Sequence, residues 1–481
     1  MEIAGALEKI VGPERVSTSE AVCQCYQFNC FTGKDWLQKP EIVVLAENPQ
    51  EVSEILKAAN RYKVPVTPKG GAGGGGLGGP LRGGILLDLS HMERIVALDA
   101  ENMKVVAEAG CSFFKLSQEL FKKGLMLPIG GYGCGPNVAA SAIDPSNGFG
   151  KTRYGPNIDL VEGFEVVLPS GEIIEVGSLA YANSDFGPYY RYITGPDLVG
   201  LFTRSNGAFG IVTKVAFYCL RKPQHWSFLA YYWPSHKITE VTRVLMEATA
   251  EEIFDVHLND KWRFTIDGPR PFPEDCYFIV MFTVNSDDEE ELRVKERAVE
   301  KLSGTYGGKC LPGIVEEHYL TWPTRFAGWA RPQVELSPPP LRVGRPYTFI
   351  MGELIYPTSR LPEIYQQTRE VCQKYGIWNS IPPPVFDGYP MKRQVMSSQT
   401  WVFTDSGDPG KVEQYHRCQA EFQDWFGKKG GTYQMKLPPL VPARSWTNQP
   451  GDFGLLKSIK KLLDPNNILS PGTFEIGEEA R

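Results

Sequence analysis

The chain has no apolar run that approaches the length of a membrane span, for which about 18 consecutive apolar residues are needed. Its start, Met1-Glu2-Ile3-Ala4-Gly5, has neither a basic region nor an apolar core. A secretory signal is therefore not expected, and a cytoplasmic location is. Positive charge is not in excess either. The net charge is −6, which gives no electrostatic footprint for nucleic acid. The ten cysteines include no Cys-x-x-Cys and are too thinly spread for a disulfide scaffold. Their one cluster is Cys23, Cys25 and Cys30. Three thiolates could join a metal site or mark a partner surface, but recognised clusters use four ligands at other spacings, so no metal is expected. The six histidines, His91, His225, His236, His257, His318 and His416, stand apart from one another. Each reads as a surface or packing residue rather than a ligand.

What remains is an ordinary globular composition, 42% hydrophobic and 22% charged over 481 residues. That length suits two or three domains and a core large enough to hold a sizeable cofactor. The most unusual stretch runs from Val64 to Pro80 and places eight glycines between Pro68 and Pro80. Glycine admits φ > 0 and close approach of a ligand to the main chain. A run of glycines can turn several N–H groups around an anion, of which a cofactor phosphate is the obvious one. Gly71-x-Gly73-x-x-Gly76 matches the dinucleotide fingerprint formally, but Gly, Pro and a β-rich run follow it where a helix should open. Gly150-Lys151-Thr152 looks like the end of a P-loop, yet Pro145 occupies the required earlier glycine position.

The flanks are well patterned. Ile3–Val11 reads as a short helix, Ile42–Leu45 as a strand and Pro49–Tyr62 as an amphipathic helix with Val52, Ile55, Leu56 and Ala59 on one face. Ile85–Leu89 reads as a strand, and residues 94–98 and 104–109 as a hairpin. Ser112 caps a helix that Gly124 ends. Residues 127–150 are rich in Gly and small side chains, with Asp144 as their one acid. A second hairpin spans Glu162–Val176, and a Gly turn at 205–210 feeds a strand.

From about Pro223 four strand-then-helix units follow: Trp226–Trp233, Tyr277–Val284, Tyr347–Tyr356 and Thr400–Thr404, each leading to a helix. The second helix is expected to open with a capping box, Ser286 with Glu289. The fourth is expected to open with Asp408 as cap and Pro409 at its first position. Such units suit an α+β domain. Trp322, Phe326, Trp329, Trp378, Phe386 and Trp401 are candidate walls for a flat or apolar substrate, each with ordinary core packing as the alternative. A last helix, Phe453–Leu463, returns the chain to the first module.

In this order the pieces resemble the FAD-binding module of the vanillyl alcohol oxidase / p-cresol methylhydroxylase (PCMH-type) superfamily, over roughly residues 40–222 and 463–472. The resemblance rests on the Gly loop, Leu-Asp-Leu-Ser at 87–90, Gly-Phe-Glu-Val-Val-Leu-Pro-Ser-Gly-Glu at 163–172, Ser-Asn-Gly-Ala-Phe-Gly-Ile-Val-Thr-Lys at 205–214 and Leu-Asp-Pro-Asn-Asn-Ile-Leu-Ser-Pro-Gly at 463–472. It implies an α+β fold: a two-part FAD-binding module over 1–222, an α+β substrate cap over 223–434, and a C-terminal segment, 435–481, that rejoins the module. It implies that Pro68, Lys69, Gly70, Gly71, Ala72, Gly73 and Gly74 hold the FAD pyrophosphate. Pro128, Gly135, Pro136, Asn137, Val138, Ser141, Asp144 and Gly148 would lie along the rest of the cofactor, with Gly207, Gly210, Ile211 and Val212 at the adenine end. The positions that anchor FAD covalently in relatives fall near Ala72 or Gly73 and near Ser397-Ser398, so non-covalent FAD is expected.

The implied activity is oxidation of an alcohol or alkyl C–H by hydride transfer to flavin. Ala-Ile-Asp at 142–144, with Gly-Phe-Gly behind it, resembles the phenol-oxidising branch and makes Asp144 the candidate proton acceptor; turn chemistry at Asp144-Pro145-Ser146-Asn147-Gly148 is the alternative. Tyr433 falls where that branch binds phenolate, but its Arg neighbour is Gln434 here and a second Tyr is Leu77. Arg444 is a further source of positive charge. A hydroxylated aromatic is the expected substrate. A 2-hydroxy acid or other small alcohol, and a flavin-carrying electron-transfer subunit, are the alternatives. Expected partners are a small-molecule substrate and a redox protein (cytochrome, electron-transfer flavoprotein or iron–sulfur protein), with a homodimer as the default assembly.

Overall fold

The computed structural model describes residues 2–26, 38–70, 79–128, 137–143, 150–181, 187, 190–250, 253–265, 271–313, 346–380, 383–405, 408–433 and 448–477. Its first sheet has the order β1-β2-β4-β3, from β1 (Val16–Ser17), β2 (Ile42–Leu45), β3 (Val66–Lys69) and β4 (Ile85–Asp88). β2, β4 and β3 run parallel, and the continuous apolar runs Ile42-Val43-Val44 and Ile85-Leu86-Leu87 are buried on both faces, as parallel strands require. The crossover helix Pro49–Tyr62 starts where Asn48 accepts from the Glu51 N–H at 2.9 Å and stops at Lys63 in the left-handed region, φ 52°. It buries Val52, Ile55, Leu56 and Ala59.

The second sheet is antiparallel, β5-β6-β10-β8-β9, from β5 (Ile95–Asp99), β6 (Lys104–Glu108), β8 (Val161–Val167), β9 (Ile173–Gly177) and β10 (Ile211–Tyr218). β7 (Leu125–Met126) pairs with β11 (Leu220–Arg221). The helix Phe113–Phe121 has the expected cap, the Lys115 N–H donating to Ser112 Oγ at 3.2 Å. Both sheets share one apolar core.

The third sheet is drawn wholly from His225 onward. It has eight antiparallel strands in the order β15-β12-β14-β13-β17-β18-β16-β19. These are β12 (His225–Trp233), β13 (Asp255–Asp260), β14 (Phe278–Ser286), β15 (Lys309–Cys310), β16 (Pro346–Pro357), β17 (Val385–Met391), β18 (Val395–Asp405) and β19 (Thr432–Tyr433). Four helices, Ile238–Ala248, Glu289–Thr305, Leu361–Lys374 and Pro409–Lys428, cover one face and bury Val256, Leu258, Phe282, Phe386 and Met396 against it. The expected capping box on the second helix is not formed. Asp288 is its cap, accepting from the Glu291 N–H at 2.8 Å, while the Ser286 hydroxyl donates to the Glu291 carboxylate. A carboxylate one residue from the helix start reaches the free N–H groups better than a hydroxyl two residues further back. Asp408 caps the last of the four as expected.

The C-terminal segment is stitched onto β3. The Val66 N–H donates to Ile468 O at 2.7 Å and the Ser470 N–H to Val66 O at 2.9 Å. A buried ion pair sets this loop: Lys460 Nζ bonds Asp464 Oδ2 at 2.6 Å, Leu469 O and Ala208 O, and Asp464 accepts from the Ile468 and Leu469 N–H groups.

Candidate active site

At the start of the Gly loop, Pro68 to Gly70 is gripped from two sides. A Cβ on Gly70 would sit 2.6 Å from Asn137 Oδ1, and one on Gly207 (φ +75°) would sit 2.5 Å from the Pro68 ring and 3.2 Å from Ser470 Oγ. Asn137 uses its Oδ1 to accept from the Ala140 N–H, opening the short helix Val138–Ile143, and leaves its buried Nδ2 without a partner. Ser470, held at φ 41°, has a buried, unpartnered Oγ. Buried polar groups are normally satisfied, so this cradle fits an incoming cofactor that carries both donors and acceptors. The Lys69 side chain is turned away to Asp88, 3.7 Å distant, and over the Tyr26 ring. Gly210, Ile211 and Val212 lie buried at the head of β10, and Pro128 is buried. Gly71 through Gly74, Gly135, Pro136, Asp144 and Gly148 fall outside the described residues, as do Leu77, Trp322, Phe326, Trp329, Gln434 and Arg444; Ser141 lies on the Val138–Ile143 helix.

The segment that carries Asp144 leads in sequence to Gly150, and there the N-terminal part of the chain is bonded to the third sheet. Gly150 (φ +84°) donates its N–H to Asp255 Oδ1 at 3.1 Å. Thr152 Oγ1 accepts from the Val256 N–H at 3.0 Å and donates to Pro390 O at 2.9 Å. Lys392 N–H reaches Lys151 O. The Gly150-Lys151-Thr152 triplet, which resembles the tail of a P-loop, is thus the joint between module and cap.

This joint defines the inward face of the cap sheet. Alternation puts Val256 and Leu258 against the helices and Asp255, His257 and Asn259 inward. His257 stacks on Tyr389, with ring centroids 4.0 Å apart, and Lys151 Nζ lies 5.9 Å from that Tyr ring. One register step further from the joint, Asn259 pairs with Asp387 and Asp387 with Gln399, a row across three adjacent strands. Arg263 Nε approaches Asp387 Oδ2 at 4.0 Å. Trp401 lies on the same face two residues along β18, and Ala230, Tyr232, Ile279 and Met281 supply an apolar flank.

The electrostatics of this face follow from burial. Desolvation pushes the Asp387 carboxyl up to about 7, with Arg263, Trp401 and Gln399 pulling the other way. Desolvation, then the Arg263 charge, hold His257 well below its usual range, so it is neutral at physiological pH. The nearby Asp260 carboxyl, which accepts from the Phe386 N–H at 2.8 Å, is pushed up to about 8 by burial, with Asp387 adding to the rise.

Of the candidate walls, Trp401 lies on the inward face, whereas Phe386 and Trp378 pack in the layer between sheet and helices. Phe386 precedes Asp387 by one residue, so the pleat turns it the other way. Tyr433 pairs by register with Leu354 of that same helix-side core. Residue types alone did not mark His257, Asn259, Arg263, Asp387, Tyr389 and Gln399 as a group. The available signal was the strict polar–apolar alternation of Asp255-Val256-His257-Leu258-Asn259.

Residues 40–177 match the FAD binding domain family, and residues 443–474 match the C-terminal domain family of FAD linked oxidases. Superposition on p-cresol methylhydroxylase gives a TM-score of 0.80, with 98% of this chain and 96% of that one covered at 19% identity. The chain is an FAD-dependent oxidoreductase with the fold of p-cresol methylhydroxylase. Its cofactor is FAD. The 4-ethylphenol oxidase of Gulosibacter chungangensis superposes over the same shares with a TM-score of 0.82 at 17% identity. By sequence, the chain is 24% identical to the glycolate oxidase subunit GlcD of Bacillus subtilis, over 98% of this chain and 96% of that protein. It is 34% identical to the mitochondrial D-lactate dehydrogenase [cytochrome] of Arabidopsis thaliana over 188 residues, 39% of this chain and only 31% of that protein. Among the described residues no helix is long and apolar enough to cross a membrane, and no group of His, Cys, Asp or Glu could hold a metal ion.

Proposed function

We propose that this enzyme oxidises an alcohol or alkyl C–H of a hydroxylated aromatic compound, with Asp144 receiving the proton of the substrate hydroxyl. FAD, held at Pro68–Gly74, Asn137 and Gly207–Val212, supplies the hydride acceptor. The observation that carries the reading is the Gly150–Thr152 joint. In this reading the joint anchors residue 150, which follows the Asp144-bearing segment in sequence, to a buried face that carries stacked rings and acceptor oxygens. Such a face excludes water and strengthens every hydrogen bond made in it. The positions that would anchor flavin covalently are small or hydroxylic, so the FAD is non-covalent, and acid precipitation is expected to release the yellow colour into the supernatant.

Replacing Asp144 by Ala is expected to slow anaerobic flavin reduction by 4-hydroxybenzyl alcohol roughly 10²-fold or more while FAD stays bound. An unchanged rate removes Asp144 from the chemistry.

A second reading, dehydrogenation of a 2-hydroxy acid, draws on the full-length similarity to GlcD and to a D-lactate dehydrogenase of Danio rerio. The Arabidopsis relative, named for cytochrome, supports a cytochrome as the electron acceptor.

A further inference from the structure

The helix Phe113–Phe121 leaves the cofactor cradle and ends in a basic, aromatic surface. At its start Ser112 bridges to Asn137, the residue packed on Gly70, and the Val138 N–H donates to Cys111 O at 2.8 Å. Phe113, Leu116 and Leu120 are buried, but Phe114 is 57% exposed and Phe121 47%. The two are seven residues apart, so they stand on one face of the helix. A merely solvated face would carry polar side chains at both positions. Beyond the helix the β7–β11 pair brings a second segment alongside. The Lys222 N–H donates to Gly124 O at 2.8 Å, and Lys222 Nζ sits 5.8 Å from the centre of the Phe121 ring. Residues 113–124 and 220–224 together carry Lys115, Lys122, Lys123, Arg221 and Lys222 against one acid, Glu119. Glu119 pairs with Lys122 at 2.6 Å, Glu93 reaches Lys115 at 3.5 Å, and Asp287 borders the patch by accepting from the Gln224 N–H. Among the described residues no carboxylate pairs with Lys123, Arg221 or Lys222. In a chain of net charge −6 this is a local field of the opposite sign. Aromatic anchors bury area at an interface, and charges around them select and steer the partner.

We propose that the face formed by Phe114, Phe121, Lys122, Lys123, Arg221 and Lys222 docks an acidic haem protein that takes electrons from the reduced FAD. This rests on the cytochrome reading above and deepens it, and it holds whichever substrate reduces the flavin. The route is short. The helix is about 13 Å long, and Phe114 stands two residues from the Ser112–Asn137 bridge at the cradle. Each ferric haem takes one electron, so two partner molecules restore one two-electron-reduced FAD to its oxidised form and two protons pass to water.

The test uses the full chain loaded with FAD and reduced anaerobically with dithionite, so that no substrate is assumed. Oxidised cytochrome b5, an acidic haem protein, is the probe; a basic cytochrome c and a neutral benzoquinone are the controls. Stopped-flow absorbance follows haem reduction and flavin reoxidation in the wild type, in the double variant Lys123→Glu with Lys222→Glu, and in Phe114→Ser. The wild-type rate with cytochrome b5 is expected to fall about tenfold or more as ionic strength rises from about 0.02 M to about 0.2 M. The charge reversal is expected to lower the low-salt rate about tenfold or more. Phe114→Ser is expected to lower it as well, and the quinone rate is expected to stay unchanged in both variants. A charge-reversed protein that reduces cytochrome b5 at the wild-type rate overturns the docking site and leaves the cytochrome reading standing. So does a wild type that reduces only the basic cytochrome. A quinone rate that falls together with the cytochrome rate places these residues in the service of the flavin site and overturns docking. A wild type that reduces neither cytochrome removes the cytochrome reading, and the docking site with it. Co-sedimentation with phosphatidylglycerol vesicles that the reversal abolishes, with cytochrome reduction unaltered, assigns the face to a membrane surface instead.

Discussion

Asp387 and Asp260 show how far burial alone shifts the behaviour of single side chains. Both are wholly enclosed within the cap, and both titrate far above the ordinary carboxyl value of 3.8, near 7 and near 8. In the unfolded chain they ionise at ordinary values; in the folded chain they hold their protons longer. Between these limits the native state binds more protons, so stability falls as pH rises. The contribution is complete below about 4 and lost above about 8. Replacing Asp387 by Asn is expected to flatten the decline in unfolding free energy from about pH 4 to pH 7, measured by urea titration at stepped pH. An unaltered slope would show that the carboxyl is solvated. Neither residue was legible as a site member in the sequence. Asp387 sits in Val-Phe-Asp-Gly-Tyr-Pro-Met, where Gly388 and Pro390 are both poor strand residues and hide β17. Its partner Asn259 is 128 residues away, and only sheet register brings the two side by side. The Gly loop stands out as a candidate from composition alone, because it carries a backbone requirement that no long-range contact is needed to reveal.

Local rules placed most elements. Ser112 and Asp408 before Pro409 announce helix starts, and both caps are made. The fully apolar Ile42-Val43-Val44 and Ile85-Leu86-Leu87 announce buried strands. The rules missed β13 and β17, because polar groups fill the positions that alternate with their core residues and Gly388 and Pro390 interrupt β17. Two joints are open to test. Lys460 and Asp464 form an ion pair that is almost wholly buried, 3% and 0% exposed at the side chains. Replacing Lys460 by Met leaves Asp464 charged and unpaired, and is expected to cost roughly 3–5 kcal/mol in chemical denaturation. A loss below about 1 kcal/mol would mean that the backbone N–H groups of Ile468 and Leu469 suffice to hold the carboxylate. At the other joint, Gly150 sits at φ +84° with the Phe254 ring 3.1 Å from where a Cβ would be. Gly150→Ala is expected to destabilise by about 1–2 kcal/mol and, on the proposed role of Asp144 six residues earlier in the chain, to slow flavin reduction. Unchanged reduction kinetics would detach the joint from catalysis.

At the scale of the whole molecule, two sheets, one mixed and one antiparallel, share one apolar core, and an eight-stranded antiparallel sheet is bonded to them at Gly150–Thr152. The cap's other face is an ordinary core, with four helices packed on Val256, Leu258, Phe282 and Phe386. One face of this sheet holds its core together, and the other carries the polar side chains of β13, β17 and β18. The most direct measurement is an anaerobic titration of the FAD-loaded protein, followed at the flavin's visible band, with 4-hydroxybenzyl alcohol, a 4-alkylphenol, D-lactate and glycolate in turn. The account predicts that a phenolic compound bleaches the band and that neither hydroxy acid does. Bleaching by D-lactate or glycolate, with the phenols inert, would contradict it.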